Sequence, residues 1–306
     1  FYLKKNDKND KMVFFIITKK LRLDMSIINY IKFPVGAIVG LDFYKNRQKN
    51  FFSKEPSKVF SVYPENNVNK TEMSACTYMN GICNSEQLAM KNAEKLADKT
   101  GCKVTVIHNP STGSLIYDVS RAMMRLKSPM YRNRTQDLVS ETLANELISQ
   151  IEMKEQAFFE RFGQKEDIKS YPDYYYIKHY AHSEGGIVTQ SAINKLPEML
   201  KKRVVFYAFG SPYIADENLP NRIDVVNKKD IVLHLGGHKP RHLRKPHNVI
   251  EKTPNKNYSG TFNLTEHSFD QYVDAKTIRQ CEEVFKGVVV CDREKNEAAQ
   301  EVSENS

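Results

Sequence analysis

Ser183 stands in the run Ala181-His182-Ser183-Glu184-Gly185-Gly186, behind a β-prone stretch from Tyr174 to Tyr180 and ahead of a helical pattern. A serine hydroxyl is a poor nucleophile at its own pKa. It attacks an acyl carbon when a neighbouring histidine takes its proton and a carboxylate orients that histidine. Presenting the hydroxyl at the tip of a sharp strand-to-helix turn demands small flanking residues, because strand and helix crowd each other there. The strict spacing is G-x-S-x-G. Here Ala181 replaces the first glycine, one methyl larger, and Gly185 supplies the second. The competing reading is structural, since a serine just before a helix is the usual N-cap.

The acid and the base should follow Ser183, each just past the carboxyl end of a strand, where an open parallel sheet places its chemistry. Asp230 meets that condition, lying directly after the apolar run Ile223 to Val226, whereas Asp224 lies inside that run. Five histidines come after Asp230: His234, His238, His242, His247 and His267. His267, on the stretch before the last helical pattern, is the expected base, and His247 is the reserve. His234, His238 and His242 recur every fourth residue, which on one helix would align them as metal ligands. Gly236, Gly237 and Pro240 interrupt that stretch, so a basic surface loop is the default and no metal is expected. An oxyanion needs backbone N–H donors, one from the residue after the nucleophile, Glu184, and one from a loop after an early strand. Asn80-Gly81-Ile82 fits the second role, with an ordinary Asn-Gly turn as the alternative. The chemistry needs no cofactor.

The elements that must position these groups alternate. Met73 to Met79 reads as a short strand. Ser85 to Lys99 reads as an amphipathic helix stopped by Gly101, with Leu88, Ala89, Ala93, Leu96 and Ala97 at helical spacing. Val104 to Ile107 predicts a buried strand and Thr135 to Phe162 a long helix, followed by the elbow strand and its helix. Val204 to Phe209 and Ile223 to Val226 predict further strands, and Phe269 to Phe285 a closing helix. Strands alternating with helices imply right-handed crossovers and an α/β fold with a mainly parallel sheet flanked by helices.

Of the net charge of +9, eight units sit in residues 1–70, which hold 14 Lys and Arg against 6 Asp and Glu. The basic character therefore belongs to an N-terminal arm and linker, and no basic stripe with interleaved aromatics continues into the domain, so no nucleic-acid partner is expected. A solvated tail is the first reading of residues 1–70, and contact with an anionic membrane surface the second. The apolar stretches at 12–18 and 26–41 fall short of the ~20 residues that span a bilayer. Residues 71–290 read as the α/β domain and 291–306 as a polar, disordered tail. Five cysteines (Cys76, Cys83, Cys102, Cys281 and Cys291) without a CxxC pair argue against a disulfide framework or a cysteine zinc site.

Three segments in order resemble the serial motifs of class 3 lipases, within the α/β-hydrolase superfamily: Ala-His-Ser-Glu-Gly-Gly, Tyr-Ala-Phe-Gly-Ser-Pro at 207–212, and Val-Val-Asn-Lys-Lys-Asp-Ile-Val at 225–232. The resemblance covers roughly residues 71–275. The opening Asn-Gly-Ile element is also similar to uncharacterised hydrolase-like proteins of chlamydiae. The resemblance implies an α/β-hydrolase-like fold, a Ser183, Asp230 and His267 triad, and an ester, thioester or lipid ester as substrate. An inactive hydrolase-fold protein serving as a binding or effector module is the alternative.

Overall fold

In this computed structural model the described residues are 57–65, 75–111, 118, 122, 137–212, 219, 221–227, 229–230, 232–233, 249–252 and 267–287. The chain divides into two compact units. The first, Phe1–Lys49, lies outside the described residues with the basic arm expected there, and the second, Asn50–Ser306, holds the sheet.

Seven strands make one sheet: β1 (Val59–Val62), β2 (Cys76–Met79), β3 (Val104–Ile107), β4 (Ile177–His182), β5 (Val204–Phe209), β6 (Arg222–Asn227) and β7 (Val249–Lys252). Their spatial order is β1-β3-β2-β4-β5-β6-β7, with β1 antiparallel to β3 and every other pair parallel. The α-helices described over their length are α1 (Glu86–Thr100), α2 (Asp137–Phe162), α3 (Pro172–Tyr175), α4 (Glu184–Lys195), α5 (Glu198–Lys201), α6 (Phe269–Tyr272) and α7 (275–287). The fold is α/β, a mainly parallel sheet flanked by helices.

The inner strands are apolar on both sides, as a sheet covered on two faces requires. In β5, Val205, Tyr207 and Phe209 face one layer and Val204, Phe206 and Ala208 the other. The first layer is built on Ala89, Ala93 and Leu96 of α1 with Phe269, Tyr272 and Ile278. The second takes Leu143, Leu147 and Ile151 of α2 with Val188 and Ala192 of α4. Helix α1 carries the caps its sequence predicts. The Ser85 hydroxyl accepts from the Leu88 N–H, and Gly101 ends the helix in left-handed geometry at φ 63°.

Three expectations need correction. Residues 1–70 read as an arm and linker, yet Val59–Val62 pairs with β3 as an edge strand; its half-exposed position leaves little apolar pattern to read. The elbow strand starts at Ile177, because Pro172 at the first position of α3 winds Tyr174 and Tyr175 into a helical turn. The closing helix is two helices, α6 and α7, separated by Val273 and Asp274, where Asp274 caps the second by accepting from the Thr277 N–H.

The chain runs from β2 outward to β3, then crosses back so that β4 lies on the other side of β2. The strand order therefore reverses between β2 and β4. The crevice at the carboxyl ends of these two strands is where an open α/β sheet binds its ligand.

Candidate active site

Ser183 follows the last residue of β4 and precedes the first of α4, beside that crevice. Its backbone sits at φ 55° and ψ −128°, a conformation that non-glycine residues rarely adopt. Ser183 occupies the N-cap position of α4, but its hydroxyl makes no capping hydrogen bond. The hydroxyl lies instead 2.8 Å from Nε2 of His267. The structural reading of this serine as a cap is thereby excluded.

The turn is possible because the flanking positions are small. A Cβ on Gly185 would lie 2.7 Å from the Asn80 carbonyl oxygen and 2.8 Å from that of Met79, so only glycine lets α4 reach the end of β2. Ala181 is fully buried, paired with Met79 and Ala208, and its methyl is accommodated where the strict motif has glycine. Gly210, at φ 54°, serves the acid side: a Cβ there would meet Asp230 Oδ2 and the Tyr272 ring at 2.9 Å.

His267 Nδ1 lies 2.6 Å from Asp230 Oδ2. Ionised Asp230 can only accept, so Nδ1 carries the proton and Nε2 is left free to accept from the Ser183 hydroxyl. Asp230 is fully buried, and its other oxygen accepts from the Val232 N–H at 2.8 Å. Ser183, His267 and Asp230 thus form one hydrogen-bonded relay across the ends of β4, β6 and the segment before α6. Asp224 is not part of it; its carboxylate pairs with Arg222 two residues earlier on β6. His247, and the His234, His238 and His242 series, lie outside the described residues. Among the described residues no group of three or more His, Cys, Asp and Glu could hold a metal ion.

The Asn80-Gly81-Ile82 turn reaches the same point from β2. A Cβ on Gly81 would lie 2.6 Å from Ser183 Cβ and 3.2 Å from its Oγ. The Gly81 carbonyl accepts from the side-chain amides of Asn80 (2.9 Å) and Asn84 (3.4 Å). In a trans peptide the N–H opposes the carbonyl, so anchoring the Gly81 carbonyl turns the Ile82 N–H the other way. Among the described residues no hydrogen bond claims that N–H. The Glu184 N–H belongs to the first turn of α4, the end whose dipole favours negative charge. Gly81, Ile82 and Glu184 are thus brought together around Ser183.

Asparagines lock this arrangement. Asn80 Nδ2 donates to the Asn109 carbonyl while its Oδ1 accepts from the Asn109 N–H, both at 2.9 Å, and Asn109 Nδ2 donates to the buried Glu184 carboxylate at 2.9 Å. The turn after β2, the end of β3 and the start of α4 are therefore tied together. Below them, His179 links three elements. Thr189 Oγ1 donates to the Gly185 carbonyl, so it accepts from His179 Nε2–H, and His179 Nδ1 accepts from Thr77. Burial pushes His179 down to about 3, so it stays neutral in that chain.

Two groups here were not foreseen from the sequence. His182, the variable residue of the motif, donates from Nε2 to the His267 carbonyl at 2.8 Å and stacks on the His267 ring at 4.7 Å between centroids. Burial first, and repulsion from His267 second, push His182 down to about 3. Tyr272 donates its hydroxyl to Asp230 Oδ2. A histidine at a strand's carboxyl end was a legible signal; the tyrosine's partner was not.

No protein-family model and no curated protein matches this chain. Among solved structures, the cutinase of Trichoderma reesei in complex with a C11Y4 phosphonate inhibitor is similar at 8% identity and a TM-score of 0.36, over 85% of this chain and 95% of that one. Likeness that slight decides neither activity nor substrate.

Proposed function

We propose that this chain is a serine hydrolase that cleaves ester or thioester substrates, esterase- or lipase-like, through an acyl-enzyme. The relay from Ser183 Oγ through His267 to Asp230, with the serine held at φ 55° and kept from capping its helix, carries this reading. A plain helix start would need none of that geometry.

In the first step Ser183 Oγ attacks the acyl carbon as His267 Nε2 takes its proton. Asp230 holds the resulting imidazolium in place through Nδ1–H. The N–H groups of Ile82 and Glu184 stabilise the charge that develops on the carbonyl oxygen. The imidazolium then gives its proton to the departing alkoxide or thiolate, leaving the acyl group on Ser183. Water, activated by the same His267, releases the acid and restores the serine.

Labelling by a fluorophosphonate tests this. Wild type should react covalently and hydrolyse a short p-nitrophenyl ester, Ser183→Ala should do neither, and Asp230→Asn should lose about 10⁴-fold in kcat. Folded wild type that neither labels nor turns over any ester in a chain-length series would instead establish a hydrolase-fold binding module.

A further inference from the structure

We infer that Tyr272 is a positioning residue that sets how strongly Asp230 holds the base; this rests on the triad reading above. Asp230 Oδ2 accepts two hydrogen bonds at once, from His267 Nδ1 at 2.6 Å and from the Tyr272 hydroxyl at 2.5 Å. Asp230 and Tyr272 are both fully buried, so no bulk solvent shares that oxygen. Two donors on one oxygen divide its charge. What the phenol takes is withdrawn from the imidazole, and the carboxylate is fixed in position by both.

The surroundings isolate this coupling. Among the described residues His267 faces Ser183 from the elbow, Asp230 from the turn after β6 and His182 from β4, and Tyr272 of α6 reaches it through Asp230. His182 is neutral throughout the relevant range, for the burial reason given above. The charges nearest Tyr272 in sequence are engaged elsewhere, Asp270 with Lys95 of α1 and Asp274 with Lys252 of β7. The tyrosine ring packs on Phe209 and His182 and over Gly210, contacts that a phenylalanine would keep. Tyr272→Phe therefore removes the hydroxyl and little else.

Without the phenol, Oδ2 belongs to His267 alone. The imidazolium is then held more strongly, and the acid limb of kcat/KM against pH moves upward by about half a pH unit. KM should stay unchanged, because Tyr272 is fully buried and its hydroxyl is turned to Asp230. Replacing Tyr272 by 3-fluorotyrosine, a stronger donor of the same shape, moves the limb the other way. The second readout needs no turnover: the downfield proton resonance of His267 Nδ1–H, recorded in a Ser183→Ala background, moves further downfield in Tyr272→Phe and upfield with 3-fluorotyrosine. Opposite shifts for the two replacements support the inference. A resonance that stays fixed in both folded variants overturns it, and a Tyr272→Phe that lowers only Tm assigns the tyrosine to the core. Absence of turnover in wild type would count against the hydrolase reading alone, since the resonance still reports the coupling.

Discussion

Gly81→Ala puts the geometry of the site under direct strain. Gly81 has no left-handed φ among the described residues, so its backbone conformation is open to alanine. The demand for glycine is purely spatial. The new methyl would sit 2.6 Å from Ser183 Cβ, about 0.8 Å inside ordinary contact at 3.4 Å, and 3.1 Å from the His182 carbonyl oxygen. Neither neighbour yields easily. Ser183 is pinned between β4 and α4, with its N–H bonded to the Phe209 carbonyl at 3.0 Å, and the turn is tied down through Asn80, Asn84 and Asn109. The relief must come from separating Ser183 from the Ile82 N–H by most of that 0.8 Å. A misplacement approaching 1 Å costs on the order of 10²-fold in rate, and overpacking costs about 1–3 kcal/mol of stability. The assay is kcat/KM on a p-nitrophenyl ester beside the rate of fluorophosphonate labelling, with circular dichroism and Tm to establish the fold. A folded Gly81→Ala with wild-type kcat/KM would refute the placement of this turn as an oxyanion donor.

Two further outcomes follow from backbone strain and burial. Ser183→Gly should be more stable than Ser183→Ala by about 1 kcal/mol, since glycine alone relaxes the φ of 55° at that position; equal urea midpoints for the two would show that the turn is unstrained. His179 and His182 are pushed from an ordinary 6.5 down to about 3, so below pH 6.5 the unfolded chain binds protons that the native one refuses. Stability should therefore fall as pH drops through 6.5 toward 3, by on the order of 3 kcal/mol per histidine near about pH 4.5. A urea midpoint that does not move on acidification from neutral pH would contradict the buried, neutral state of both.

The sequence made the parallel sheet and its three chemical groups readable for definite reasons. Inner strands such as Val204–Phe209 are apolar runs of strand length, and Gly185 marks a place where only a missing side chain lets helix meet strand. Asp230 could be preferred to Asp224 because one lies beyond a strand and the other within it. What stayed hidden depends on contacts between distant segments. His182, Tyr272 and Asn109 act through partners 85, 42 and 75 residues away, and nothing in their local spacing announces those partners. The edge strand β1 escaped notice for the opposite reason. With Val59 exposed and only Val62 buried, it has almost no pattern, and its existence is decided by pairing with β3.

Helix α4 is buried from Glu184 through Gln190 and again at Ala192 and Ile193, so it has almost no solvent face. A helix enclosed in this way cannot fray or swing without opening the layer it shares with α2. Local opening events, which begin where buried contacts are few, pass it by, and its amides should exchange with solvent only when the whole domain unfolds. Ser183 thus rides on the last element to let go. Loss of the elbow on heating should coincide with cooperative melting of the domain and not precede it.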